Sequence, residues 1–283
     1  MARRATAVVV VSLLTLALAA CGSGDDRDER LRAQPAVEEA RLPIRSEERT
    51  VAGMRTVVVR PRQHGPWPLV VWVHGPEAPP ESYADLLDEI AAVGNVVVAP
   101  AMPGNAGADA VLALPFQPGR VRQVIDAVTT GPYAIAAADP EHIAVAGHGL
   151  GAMTALAAGF NSCCVDRRVD AVVAVAGRLA TFPGGIYSSG SIPVLLVHGA
   201  RDGVVPYTGS GEALQQVGTS AYLLTVKRGD HDGYLRADAA VHPAVRDATV
   251  AFLHATIGGS PQAGLADLIH AGGRPGVRLT SRG

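Results

Sequence analysis

The stretch Ile143-Ala144-Val145-Ala146-Gly147-His148-Gly149-Leu150-Gly151-Ala152-Met153-Thr154-Ala155-Leu156 constrains this chain more than any other. Its first residues are small or β-branched and apolar throughout, as in a strand covered on both faces. Three glycines then fall within five positions, and a helix is expected from Leu150 to about Phe160. A buried strand running through a tight turn into a helix is half of a crossover unit, and crossovers join parallel strands. The surroundings repeat the pattern. Strands are expected at Thr56–Val59, Pro68–Val73, Asn95–Pro100, His142–Ala146, Asp170–Ala176, Pro193–Val197 and Ala221–Val226. Helices fall at Glu81–Val93 (ended by Gly94), from near Arg120, near Gly211–Val217 and at Pro243–Ile257. The expected fold is α/β: a mostly parallel, doubly wound sheet with helices on both faces, over residues 50–257.

The ends read differently. Arg3 and Arg4 precede an apolar run, Ala5 to Ala20, too short to read first as a spanning helix. The run closes on Leu18-Ala19-Ala20-Cys21-Gly22, which resembles the bacterial lipobox. Residues 1–20 are accordingly expected to be a lipoprotein signal peptide. The resemblance implies that Cys21 is acylated and holds the protein to a membrane from outside the cytoplasm. Residues 21–49 are rich in charge and small side chains and read as a flexible tether. Residues 258–283, glycine-rich with weak periodicity, read as a disordered tail.

Removing Arg3 and Arg4 leaves 22 basic residues against 26 acidic ones, a formal charge of −4. Lys227 is the single lysine, and the linear sequence shows no basic stripe, which argues against a nucleic-acid partner. With Cys21 committed to lipid, Cys163 and Cys164 have only each other. Adjacent Cα atoms are about 3.8 Å apart, below the usual disulfide span of about 4.4–6.8 Å. Two reduced, partly buried thiols are therefore expected in preference to a strained vicinal disulfide.

The glycine turn resembles the nucleophile elbow of the α/β-hydrolase family, G-x-S-x-G. Gly147 and Gly151 match its glycines; Gly149 stands where the family has its serine. Downstream, in the family's order, His198-Gly199-Ala200-Arg201-Asp202 follows one strand and resembles the acid loop, with Asp202 matching the acid. Gly229-Asp230-His231-Asp232 follows the next strand, and His231 matches the general base. The oxyanion hole of such a site implies the backbone N–H of Leu150 and that of a residue after Val71-Trp72-Val73-His74-Gly75. That residue is Pro76, which has no N–H, so the task could shift to Glu77. The small secreted esterases of cutinase-like, chlorophyllase-like and platelet-activating-factor-acetylhydrolase-like type are similar, including the run Asn161 to Ala171.

The resemblance implies carboxylic-ester hydrolysis through an acyl-enzyme, yet Gly149 offers no oxygen to acylate. The expectation is a nucleophile-deficient pseudo-hydrolase that binds a small ester or acyl ligand in the cleft. The alternative is a serine-type carboxylic-ester hydrolase in which Gly149 has replaced the nucleophile. Gly147-x-Gly149-x-x-Ala152 also fits a dinucleotide fingerprint. That reading needs an acidic residue at the end of the next strand, where Val175-Ala176-Gly177-Arg178 has none. No cofactor is expected. His74, His148 and His198 match no zinc spacing and are read as packing or substrate-contacting residues near one cleft.

Overall fold

A computed structural model describes residues 41–282 apart from 77, 106, 108–109 and 132–133. The signal peptide, Cys21 and most of the tether lie outside the described residues, as does Glu77.

The strands are β1 (Ile44–Val51), β2 (Met54–Pro61), β3 (Trp67–Val73), β4 (Val96–Pro100), β5 (Ala138–His148), β6 (Val169–Val175), β7 (Val194–Gly199), β8 (Ala221–Val226) and β9 (Val277–Arg282). They form one sheet in the order β1-β2-β4-β3-β5-β6-β7-β8-β9. From β4 to β8 the pairing is parallel; the β1–β2 hairpin and β9 add antiparallel edges. The main helices are α1 (Ala84–Ala92), α2 (Gln117–Thr129), α3 (Leu150–Phe160), α4 (Thr208–Gln216), α5 (His242–Thr256) and α6 (Pro261–Gly272).

Side chains alternate across a strand, and along β3 this divides the core in two. Leu69, Val71 and Val73 point into a layer with Val121, Val124 and Ile125 of α2 and Leu156 and Phe160 of α3. Val70 and Trp72 point into the opposite layer, with Leu86, Leu87 and Ile90 of α1 and Val245, Phe252 and Leu253 of α5. Covering both faces is what makes the central strands apolar at every position. Replacing a fully buried anchor such as Phe252 by alanine is expected to cost about 3–5 kcal/mol.

Four expectations need correction. Residues 44–49 are not tether but most of β1: the segment buries little and is held by its full-length register with β2, from Ile44↔Pro61 to Val51↔Met54. Residues 258–283 are not simply a tail, since α6 and β9 fold onto the domain. Leu268, Ala271 and Val277 are buried, and β9 pairs with β8 over its whole length. One of the glycines that suggested disorder serves packing: a Cβ on Gly264 would come within 2.7 Å of the Ala251 carbonyl oxygen of α5. Cys163 and Cys164 are not free thiols but bonded to each other. The turn after α3 holds them together, with Asn161 Oδ1 accepting from the Cys163 N–H and Asn161 O from the N–H groups of Cys164 and Val165. Basic charge is also locally concentrated. Arg45, Arg49, Arg60 and Arg62 gather on the β1–β2 hairpin, which their spacing along two strands concealed.

Candidate active site

Gly149 lies between the end of β5 and the start of α3, with φ 58° and ψ −117°. Its N–H donates to Val175 O at 2.9 Å and its carbonyl accepts from the Met153 N–H at 3.1 Å, so the turn is tied to both neighbours. Gly147 and Gly151 have no room for a side chain. A Cβ on Gly147 would stand 2.6 Å from Val73 O, because the elbow is pressed against the end of β3. At Gly149 a Cβ would meet only ordinary contacts: His231 Nε2 at 3.4 Å, Pro76 Cδ at 3.6 Å and Gly75 Cα at 3.8 Å. A hydroxyl one bond further out can reach hydrogen-bond distance of His231.

The loops after β7 and β8 bring the acid and base together. His231 Nδ1–H donates to Asp202 Oδ2 at 2.8 Å. Asp202 Oδ1 accepts from the N–H groups of Val204 and Val205, both at 2.8 Å. Burial alone would raise the Asp202 carboxyl, but the His231 bond and the two backbone donors outweigh it and hold it below its ordinary value. Asp202 and His231 thus meet each other, and His231 Nε2 faces the side-chain position of Gly149.

Two further histidines brace this pair. His148 Nε2–H donates to the His231 carbonyl at 3.1 Å, while Nδ1 accepts from Tyr83 Oη at 2.9 Å. Tyr83 Oη in turn accepts from the Gly75 N–H at 3.0 Å. One buried chain therefore joins the loop after β3 to the loop that carries the base. Burial first, and the nearby His231 second, push the His148 imidazole down to about 4; burial pushes the Tyr83 phenol up to about 12. His198 lies under the acid. Its Nε2–H is shared between Val205 O at 3.0 Å and Asp202 Oδ2 at 3.1 Å, and its Nδ1 faces Ser210 Oγ at 2.6 Å. Burial lowers the His198 imidazole too, so both braces stay neutral.

His74 turns elsewhere. Its Nε2 accepts from the Met102 N–H, and Asn105 donates to its carbonyl at 2.6 Å. Gln117 donates to Asn105, and Thr154 of α3 donates to Gln117 at 2.6 Å. This buried line ties Asn105 and the start of α2 to the elbow helix. Tyr83, Asn105, Gln117 and Thr154 carry no motif and could not be singled out from the sequence.

The side where the resemblance implies an oxyanion hole is thinner. Leu150 is the first residue of α3, so its N–H has no intrahelical acceptor. Pro76 sits beside position 149 with no N–H to offer, and the Gly75 N–H is already committed to Tyr83. An apolar cluster packs on the elbow helix through Leu150 and Met153. Leu114, Leu150, Met153, Cys164, Phe182 and Val205 form a buried cluster, and Val111, Leu112, Phe116, Ile186 and Val204 stand exposed on the segments that supply it or adjoin it. Among the described residues no group of three or more metal-ligating side chains could hold an ion.

The family model described as Chlorophyllase matches residues 33–179, from the hairpin through the elbow to the end of β6. A second, described as TAP-like protein, matches residues 152–254, the stretch that carries Asp202 and His231. No curated protein matches the chain. With the first match spanning more than half of the 283 residues, and the sheet order and elbow in agreement, the chain belongs to the chlorophyllase family of α/β-hydrolases.

Proposed function

We propose that this chain is an exported, membrane-anchored pseudo-hydrolase that binds a small ester or acyl ligand where its relatives would cleave one. The observation that carries the reading lies at one atom. His231 Nε2 faces the point where a serine Cβ would stand, 3.4 Å away, and glycine supplies neither that carbon nor its oxygen. No acyl-enzyme can form without a nucleophile, and losing one costs about 10⁶ in kcat in a triad of this kind. Pro76 withdraws a donor from the developing oxyanion, worth about 10²–10³ more. The apolar rim supports the ligand class, since it would cover an acyl or alkyl group beside the elbow.

The alternative, a serine esterase altered only at position 149, is favoured by the ordinary contacts that a Cβ would make there and by the intact Asp202–His231 pair. Turnover of short-chain aryl esters separates the two. The protein as it stands is expected to show none that depends on His231; such turnover would overturn the pseudo-hydrolase reading. Anchoring is tested separately. Cys21→Ala should release the protein from the detergent phase, and unchanged partitioning would overturn it. Among the described residues no helix is long and apolar enough to cross a membrane.

A further inference from the structure

The hairpin β1–β2 carries a charge pattern that the fold itself does not require. Arg45 is directly opposite Arg60 in the antiparallel register, a placement in which like charges destabilise a sheet. With Arg49, Arg62 and His64 they line a hollow of about 480 Å³, closed on one side by the segment Ala134–Ala137. One carboxylate stands among the four guanidiniums: Glu47, 2.8 Å from Arg49 and 3.7 Å from Arg60. Arg60 is mostly buried, and its Nε is without a hydrogen-bond partner.

Several arginines elsewhere are matched by carboxylates. Arg168 holds Asp166 and Asp126, Arg55 holds Glu48 and Glu81, and Arg246 and Arg274 share Asp247. An under-neutralised group of guanidinium forks suits phosphate oxygens, which they bind in bidentate fashion.

The hollow also has a position. β2 runs antiparallel to β4, with Thr56 opposite Pro100 and Val59 opposite Val97. Arg60, Arg62 and, opposite Arg60, Arg45 therefore lie at the amino ends of the parallel strands, and Ala134–Ala137 leads into β5 at that same end, while Arg49, opposite Thr56, extends the hollow along β1 toward the carboxyl end of β4. Gly149, Asp202 and His231 lie at the carboxyl ends. Arg41, the first described residue, precedes β1 at the arginine end, and Cys21 is 20 residues before it.

We propose that this hollow, through Arg45, Arg60 and Arg62 at its amino end, docks the phosphate headgroups of an anionic bilayer, so that the domain stands on its amino-end face and the cleft opens away from the membrane. The anchoring reading enters only in saying that a bilayer is nearby, and the two can fail separately: Cys21→Ala reports on the anchor, the vesicle assay below on the arginines.

The chain from Gly22 onward retains every described residue without an acylated cysteine. Co-sedimentation with phosphatidylcholine vesicles is measured with and without phosphatidylglycerol. Binding is expected only when phosphatidylglycerol is present, and it should weaken as salt is raised. A basic side chain near an anionic surface contributes about fivefold in affinity. Arg45→Gln/Arg62→Gln, which changes only exposed side chains, should therefore lose about 25-fold. Arg45→Lys/Arg62→Lys should retain most of the binding, and Arg201→Gln/Arg228→Gln at the opposite edge should leave it unchanged.

The proposal is overturned by equal binding to both vesicle types, or by equal loss in the opposite-edge pair. It is also overturned if binding is abolished by Phe116→Ser and not by the arginine changes, which would put the apolar rim on the membrane. Displacement by inorganic phosphate at the same phosphorus concentration would mean a soluble anion, and equally tight binding of duplex DNA a nucleic acid; either ends the bilayer reading.

Discussion

The two halves of the candidate site are built to different standards. On the acid–base side every polar atom of the Asp202 carboxylate is engaged, and neutral, buried His198 and His148 brace it from below and from the flank. On the nucleophile side the backbone is shaped as an elbow, yet Gly149 brings no reactive atom and Pro76 brings no N–H. Packing explains how one half can outlast the other. Asp202, His198, His148 and Tyr83 are part of the interior, so removing any of them strands buried polar partners. A glycine at position 149 leaves the fold satisfied and even relieves a side chain from a positive φ. Stability therefore preserves the acid and base whether or not chemistry follows, and it gives no protection to the nucleophile.

The sharpest way to break this contrast is to repair the weaker half. Gly149→Ser should raise kcat/KM for short-chain aryl esters by about 10³, the value of a nucleophile less that of the missing donor. His231→Ala in that background should abolish the gain. A gain nearer 10⁶ would mean that the oxyanion side is intact and position 149 is the only lesion. No gain in a well-folded protein would mean that the cleft itself has diverged.

The stronger half can be challenged with acid. His148 holds its proton with a pKa of about 4 when folded, against about 6.5 unfolded, so below about 6.5 the unfolded chain binds more protons. Stability is therefore full above about pH 6.5 and falls as pH drops toward 4, by on the order of 3 kcal/mol from His148. His74 and His198 are lowered in the same direction and add to the slope. Asp202, held below its unfolded value, adds a further loss at still lower pH. Denaturant melts across this range should show the slope, and His148→Phe should flatten it while lowering stability at neutral pH, because Tyr83 Oη and the His231 carbonyl lose a partner. A slope unchanged by His148→Phe would mean that His148 is not the brace described.

Smaller effects sharpen the picture. In the Gly149→Ser background, Pro76→Ala returns a backbone N–H and should add about 10² in kcat. No change would place the second donor at another residue. Cys163→Ser/Cys164→Ser removes a bond that closes almost no loop, so thermal stability should fall by about 1 kcal/mol or less. Cys164 lies in the cluster with Leu150 and Met153. A larger loss would show that the nucleophile side relies on that turn for its shape.

The elbow, the helix Leu150–Phe160, the strand Ala221–Val226 and the order of Asp202 and His231 were legible from sequence because each is a local pattern. Glycine spacing, unbroken apolar runs and the residue after a strand are set by neighbours in the chain, and a parallel sheet places successive strand ends on one edge. What the sequence left undetermined depends on partners far along the chain. β1 and β9 are polar segments that become strands only against β2 and β8. α6 looks like a glycine-rich tail until α5 lies alongside Gly264. Tyr83 meets His148 65 positions later, and Thr154 meets Gln117 37 positions earlier, with no spacing to announce either contact. The four arginines of the hairpin are unremarkable in order and become one hollow when Arg45 is set opposite Arg60. Local periodicity records which face of an element is buried; it does not record what covers that face. For this chain, tertiary structure decided the bracing of the acid and base, the extent of the sheet and the placement of its charge.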